Sequence, residues 1–152
     1  MFLRVIFFLF IFTTPLVAQN IAVCGDTSGY SYYPYHGLVK QGDSGMTSDA
    51  ITGGKVTVKK LSQDEYDVLF AGSDGSIVSS KQDGGSVFLV LSNSSAFVFA
   101  IIYPGENAEY YSFWKEEDGK LKYSIQQARL GNPLIRKINL MIGSCTYIDF
   151  LN

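Results

Sequence analysis

Two apolar runs dominate the pattern of this chain. Val87 to Leu91 and Ala96 to Tyr103 flank the polar link Ser92–Ser95, and the second run stops at Pro104-Gly105. Runs this rich in β-branched and aromatic residues, joined by a short polar link, predict a hairpin. Neither run alternates with polar residues, so both of its faces are expected to be covered, which places the hairpin at the centre of the sheet. Around it the pattern is amphipathic. Lys55 to Leu61 alternates Val56 and Val58 with Thr57 and Lys59, and Glu65 to Ala71 sets Tyr66, Val68 and Phe70 on one face. Glu109 to Lys115 carries Tyr111 and Phe113 on one face and Tyr110 and Trp114 on the other. Lys120 to Ala128 turns Leu121, Tyr123 and Ile125 inward. Leu134 to Phe150 supplies one or two last strands.

Turn chemistry punctuates these segments. Asp74-Gly75 and Asp118-Gly119 are two-residue hairpin signals, while Asp83-Gly84-Gly85 and Gly131-Asn132-Pro133 break the chain. Ser28 to Gly37 holds four tyrosines beside Pro34 and reads as irregular backbone. Leu38 to Ile51, rich in Gly, Ser and Asp, reads as a loop. About eight to ten short strands and no long amphipathic helix predict an all-β fold. Tight turns between neighbours make an antiparallel meander, closed as a small β-barrel, with a β-sandwich as the alternative.

The N-terminus changes the setting. Arg4 precedes the unbroken apolar stretch Val5 to Phe12, and Leu16-Val17-Ala18 offers a small residue before Gln19. Residues 1–18 therefore read as an export signal, too short in its apolar part to span a bilayer comfortably. Residues 19–152 form one domain, with an exported destination, periplasmic or secreted, and no stable membrane span. Cys24 and Cys145 are the only cysteines. In an exported chain they predict one disulfide tying the first strand to the last, which in a barrel would fasten the seam.

Charge excludes one partner class. The chain carries 12 Lys and Arg against 14 Asp and Glu, net −2; without Arg4 the difference is −3. Mild acidity with no basic cluster leaves no footprint for nucleic acid.

Chemistry finds little purchase. His36 is the only histidine, and it lies in a Tyr/Pro/Gly segment. A Ser-His-Asp arrangement would have to recruit it without a Gly-x-Ser-x-Gly elbow, and an imidazole-based metal centre lacks further imidazoles. The acids Asp64, Glu65 and Asp67, and Glu116 to Asp118, sit at strand starts and a hairpin tip, where carboxylates are usually solvated. No cofactor motif is present, no metal site is expected, and the balance leans away from an enzyme. A hydrolase using two carboxylates is the catalytic alternative.

Aromatic residues remain. Tyr30, Tyr32, Tyr33 and Tyr35, with His36 beside them, and Trp114 on its strand are the candidate binding residues. Tyrosine offers flat apolar area and a polar tip at little entropic cost, which suits a small ligand, an envelope glycan or a protein. The competing reading has the tyrosine segment plug one end of the barrel. The expected function is thus a non-catalytic binding module, monomeric or dimeric. An inhibitor or protector acting on an envelope-directed hydrolase is the alternative.

The pattern Ser28-Gly-Tyr-Ser-Tyr-Tyr-Pro, Gly53-Gly, Asp83-Gly-Gly, Tyr103-Pro-Gly and Phe113-Trp, enclosed by Cys24 and Cys145, resembles a group of small secreted proteobacterial proteins with no assigned activity. That resemblance implies a Gram-negative periplasmic or secreted setting and carries over no catalytic residue.

Overall fold

The computed structural model describes residues 18–151. The expected export signal falls outside them apart from Ala18. Nine strands follow in order: β1 (Gln19–Tyr33), β2 (Gly45–Lys60), β3 (Tyr66–Ala71), β4 (Ile77–Ser79), β5 (Ser86–Ser92), β6 (Ala96–Tyr103), β7 (Asn107–Lys115), β8 (Leu121–Arg129) and β9 (Lys137–Ile148). All pair antiparallel in one sheet, ordered β4-β3-β2-β1-β9-β8-β7-β6-β5. The described residues hold no α-helix, only a 3-10 turn at Gln41–Asp43.

Consecutive in the chain, β4 and β5 nevertheless stand at opposite ends of this order. Laid flat, eight strand spacings would part them by about 38 Å. The linking turn is instead folded tightly on itself, with Gly85 N donating to Ser80 O at 2.8 Å. The sheet must therefore curl until its borders approach, giving a half-barrel. Ring contacts cross the hollow: Tyr66 on β3 meets Phe99 on β6 at 5.0 Å between centroids. The β4–β5 pairing that would close a barrel is not among the hydrogen-bonded ladders.

Cys24 and Cys145 form the expected disulfide across a sequence separation of 121. They are register partners on β1 and β9, adjacent strands in the middle of the sheet, near the Ala22–Ile148 end of their ladder. The seam expected at the bond lies elsewhere, between β4 and β5.

Three further expectations are corrected. The hairpin predicted at the centre is at the border, and Phe88, Leu89, Val90 and Leu91 on β5 are exposed. Only β6 is covered, with Phe97, Phe99 and Ile101 fully buried. An apolar run on both faces marks a central strand only when both neighbours exist; β5 has one, and its register slips between Leu89 and Leu91. Secondly, Ser28 to Tyr33 is not irregular but continues β1. Thirdly, Gly45 to Ile51 is no loop but the first half of β2. Local preference here favours turns, yet two long ladders outweigh it: β1 pairs with β2 from Gln19 to Tyr33 and with β9 from Ala22 to Tyr32. Irregular backbone is confined to the connection after Tyr33.

Inward alternation fills one end of the half-barrel. Ile21, Val56, Val58, Tyr66, Val68, Phe97, Phe99, Phe113 and Tyr123 form the buried cluster, and Phe150 reaches in to meet Phe97 at 6.1 Å. At the other end the inward positions turn polar, with Ser31, Asp49, Glu109, Gln127, Lys137 and Asn139. The interior is thus neither wholly filled nor wholly hollow.

Two close approaches depend on glycine. A Cβ on Gly29 would lie 2.1 Å from Leu140 O, and one on Gly143 would lie 2.4 Å from a Tyr123 ring carbon and 2.5 Å from Asp26 O. Both glycines let β1 and β9 run side by side where β1 slips register between Gly25 and Thr27.

Candidate functional site

Strand register assembles a surface that no single segment announces. On the outer face of the sheet one row runs Met46, Tyr32, Ile138, Ala128 and Ala108 across β2, β1, β9, β8 and β7. The next row runs Ser48, Tyr30, Leu140, Gln126 and Tyr110 over the same five strands. Small side chains at Ala108 and Ala128 make a low floor, and larger ones rise on either side. The result is a groove of about 750 Å³, lined mostly by apolar atoms. Its walls are open to solvent: Tyr30 is 62% exposed, Met46 69% and Leu140 51%. Ile142 extends the apolar face along β9, also exposed. Contiguous apolar surface of this kind is seldom left bare without a partner.

The structure divides the residues singled out from sequence. Tyr30 and Tyr32 enter the groove on outward positions of β1. Tyr33 points the other way and lies half-buried, with the Lys137 ammonium 5.8 Å from its ring centroid. Tyr35 is exposed, and His36 is half-buried in the connection, bridged to Val39. Trp114 shares the outer face of β7 with Tyr110 but sits four residues along, paired with Ala96 and Lys122 at the far end. The tyrosine segment does not plug the barrel, because alternation along a regular strand sends Tyr30 and Tyr32 outward.

Met46, Ile138, Leu140 and Ala128 were not foreseen. Met46 fell in the supposed loop, and the last strand is apolar at successive positions, so its outward set is visible only once β1 and β8 are known as its neighbours.

The carboxylates prove mostly structural. Asp67 is buried and accepts hydrogen bonds from Ser79 Oγ at 2.6 Å and Lys81 N at 3.2 Å, which pins the turn after β4. Glu65 pairs with Lys81 and Asp118 with Lys120, both at the surface. Asp49 accepts from Lys137 Nζ and Ser31 Oγ, each at 2.7 Å, and these partners hold its carboxyl below the usual carboxylate range. Among the described residues no three of His, Cys, Asp and Glu gather as a metal site, and no helix is long and apolar enough to cross a membrane.

A different acid occupies the polar end of the interior. Glu109, on β7, is only 7% exposed. Its Oε1 accepts from Asn107 Nδ2 at 2.6 Å and Gln127 Nε2 at 2.7 Å, and its Oε2 accepts from the Tyr111 hydroxyl at 2.9 Å. Burial, then the neighbouring Glu109 carboxylate, drive the Tyr111 hydroxyl well above its ordinary value of 10. Sequence reasoning passed Glu109 over, although it stands on the same face as Tyr111 and Phe113, and an acid on an apolar face was the available signal.

No protein-family model, no curated protein and no solved structure significantly matches the chain.

Proposed function

We propose that this protein is an exported, non-catalytic binding module whose outer groove over β8 holds an apolar segment of a partner protein. One observation supports the reading above the others: two registered rows of side chains across five strands leave tyrosine, methionine, isoleucine and leucine contiguous and exposed. Aromatic residues and Met are favoured at the cores of protein interfaces, while Lys and Glu are depleted there, and the groove contains none of the latter. A glycan would ask for a denser set of polar partners than this lining provides, since beyond the hydroxyls of Tyr30, Tyr32 and Tyr110 its polar side chains are Gln126, Gln127 and Asn139.

Photocrosslinking in the exported protein tests this. A photoreactive residue replacing Leu140 or Met46 is expected to yield a heteromeric adduct, lost when Tyr30→Ser and Tyr32→Ser are combined. The same probe at Lys120, on the far hairpin tip, is expected to yield none. Equal adducts from Lys120, no adduct from the groove, or homodimers alone would overturn the reading. Circular dichroism of the double variant is expected to be unchanged, since both tyrosines are exposed.

A further inference from the structure

We propose a second site inside the half-barrel, a chamber around Glu109 that takes a small organic cation with a primary ammonium head. It shares only Gln127 and Asn139 with the lining of the outer groove and does not rest on that reading. The chamber measures about 240 Å³, room for about eight water volumes. Its polar floor is Glu109 with Gln127 and Asn139, and its walls are Phe70, Ile125 and Met141. Tyr103 and Asp83 also line it, and exposed Val78 lies on its border.

Three observations converge on a cation. All three polar neighbours of Glu109 donate to it, which is the arrangement an ionised carboxylate requires. No positive charge answers it: the ion pairs among the described residues are Lys81–Glu65, Lys120–Asp118 and Lys137–Asp49. The chamber's own lysine, Lys137, is thus held by Asp49, and Arg129, at the next inward position of β8, is exposed and outside ion-pair range. A buried carboxylate without a countercharge is costly, and a bound cation removes that cost. The third observation is independent of charge. Asn139 is only 9% exposed and lines the chamber, and its Oδ1 has no hydrogen-bond partner. An ammonium carries three donors and no acceptor, so it satisfies the carboxylate and this orphan oxygen together.

The walls choose among cations. A metal ion would need several hard ligands, and no such cluster surrounds Glu109. Phe70, Ile125 and Met141 suit an alkyl stem behind the charged head.

Isothermal titration of the purified protein with n-hexylammonium chloride, at low ionic strength, tests the proposal against neutral 1-hexanol. Saturable binding with a dissociation constant below about 1 mM is expected for the ammonium, with markedly weaker binding of the alcohol. Glu109→Gln is expected to weaken ammonium binding at least about thirtyfold. Val78→Trp, a change at an exposed border position, is expected to block entry; it decides the matter if Glu109→Gln does not fold. Tyr30→Ser with Tyr32→Ser is expected to bind the ammonium as the parent does. No saturation, equal binding of hexanol, undiminished binding by Glu109→Gln or Val78→Trp, loss on changing the outer tyrosines, or displacement by calcium would each overturn it.

Discussion

Replacing Cys24 and Cys145 together by alanine separates what the disulfide does from what the sheet does. The two residues are register partners on neighbouring strands, so the native ladder between β1 and β9 holds them together without the bond. The contribution must then act on the unfolded chain. For a closed loop of the observed 121-residue separation, chain-entropy reasoning gives about 16 cal/mol/K, or about 4.9 kcal/mol at 25 °C. Residual compactness of the denatured chain lowers that ceiling, and a loss of about 3–5 kcal/mol is expected. Against a total stability of about 5–15 kcal/mol this is a large fraction. Urea unfolding at pH 7 is the assay. With a slope near 2 kcal/mol/M, the midpoint is expected to fall by about 2 M. The slope itself is expected to rise, because the uncrosslinked chain exposes more surface on unfolding. A midpoint within about 0.5 M of the parent, with the slope unchanged, would refute the reasoning.

Other perturbations read other parts of the fold. Phe97→Ala empties a site whose ring meets those of Phe113 at 4.8 Å, Phe99 at 5.6 Å and Phe150 at 6.1 Å, and urea unfolding is expected to show a loss of about 3–5 kcal/mol. Gly143→Ala drives a Cβ against the Tyr123 ring and Asp26 O. It is expected to cost about 1–3 kcal/mol and to speed amide exchange along β1 and β9, whereas unchanged exchange would refute the close-approach argument. Lys137→Met removes the partner that depresses Asp49. Because the folded carboxyl titrates below its ordinary 3.8, the pair stabilises above that pH and its contribution is lost as pH falls through the folded value. The variant is expected to be about 1 kcal/mol less stable at pH 7, a gap that closes on acidification below 3.8; a gap constant with pH would count against the pair.

How much of this was legible in sequence depends on whether the deciding interaction was local. Strands from Lys55 onward announced themselves because alternation and Asp-Gly turns are properties of adjacent residues. The stretch from Ser28 to Ile51 did not, since Gly, Ser and Asp favour turns locally and only the ladders to β2 and β9 make β1 regular there. The position of β5 was misread for a related reason: a two-faced apolar strand reports neighbours that ought to exist, and the fold gives it only β6. Tyr30 and Tyr32 were visible as aromatic residues in search of a role. Their companions Met46 and Leu140 became visible only through register, which no single segment contains.

The turn from Ser80 to Gly85 carries a last consequence. It is the direct backbone link between the two borders of the sheet, so severing it would leave all eight ladders intact while removing the clasp that keeps the curl rolled. Curvature would then rest on packing alone, on contacts such as Tyr66 against Phe99. A circular permutant opened at Gly84 turns that division into a measurement. If it unrolls, connectivity shapes this protein; if it stays rolled, the aromatic filling does.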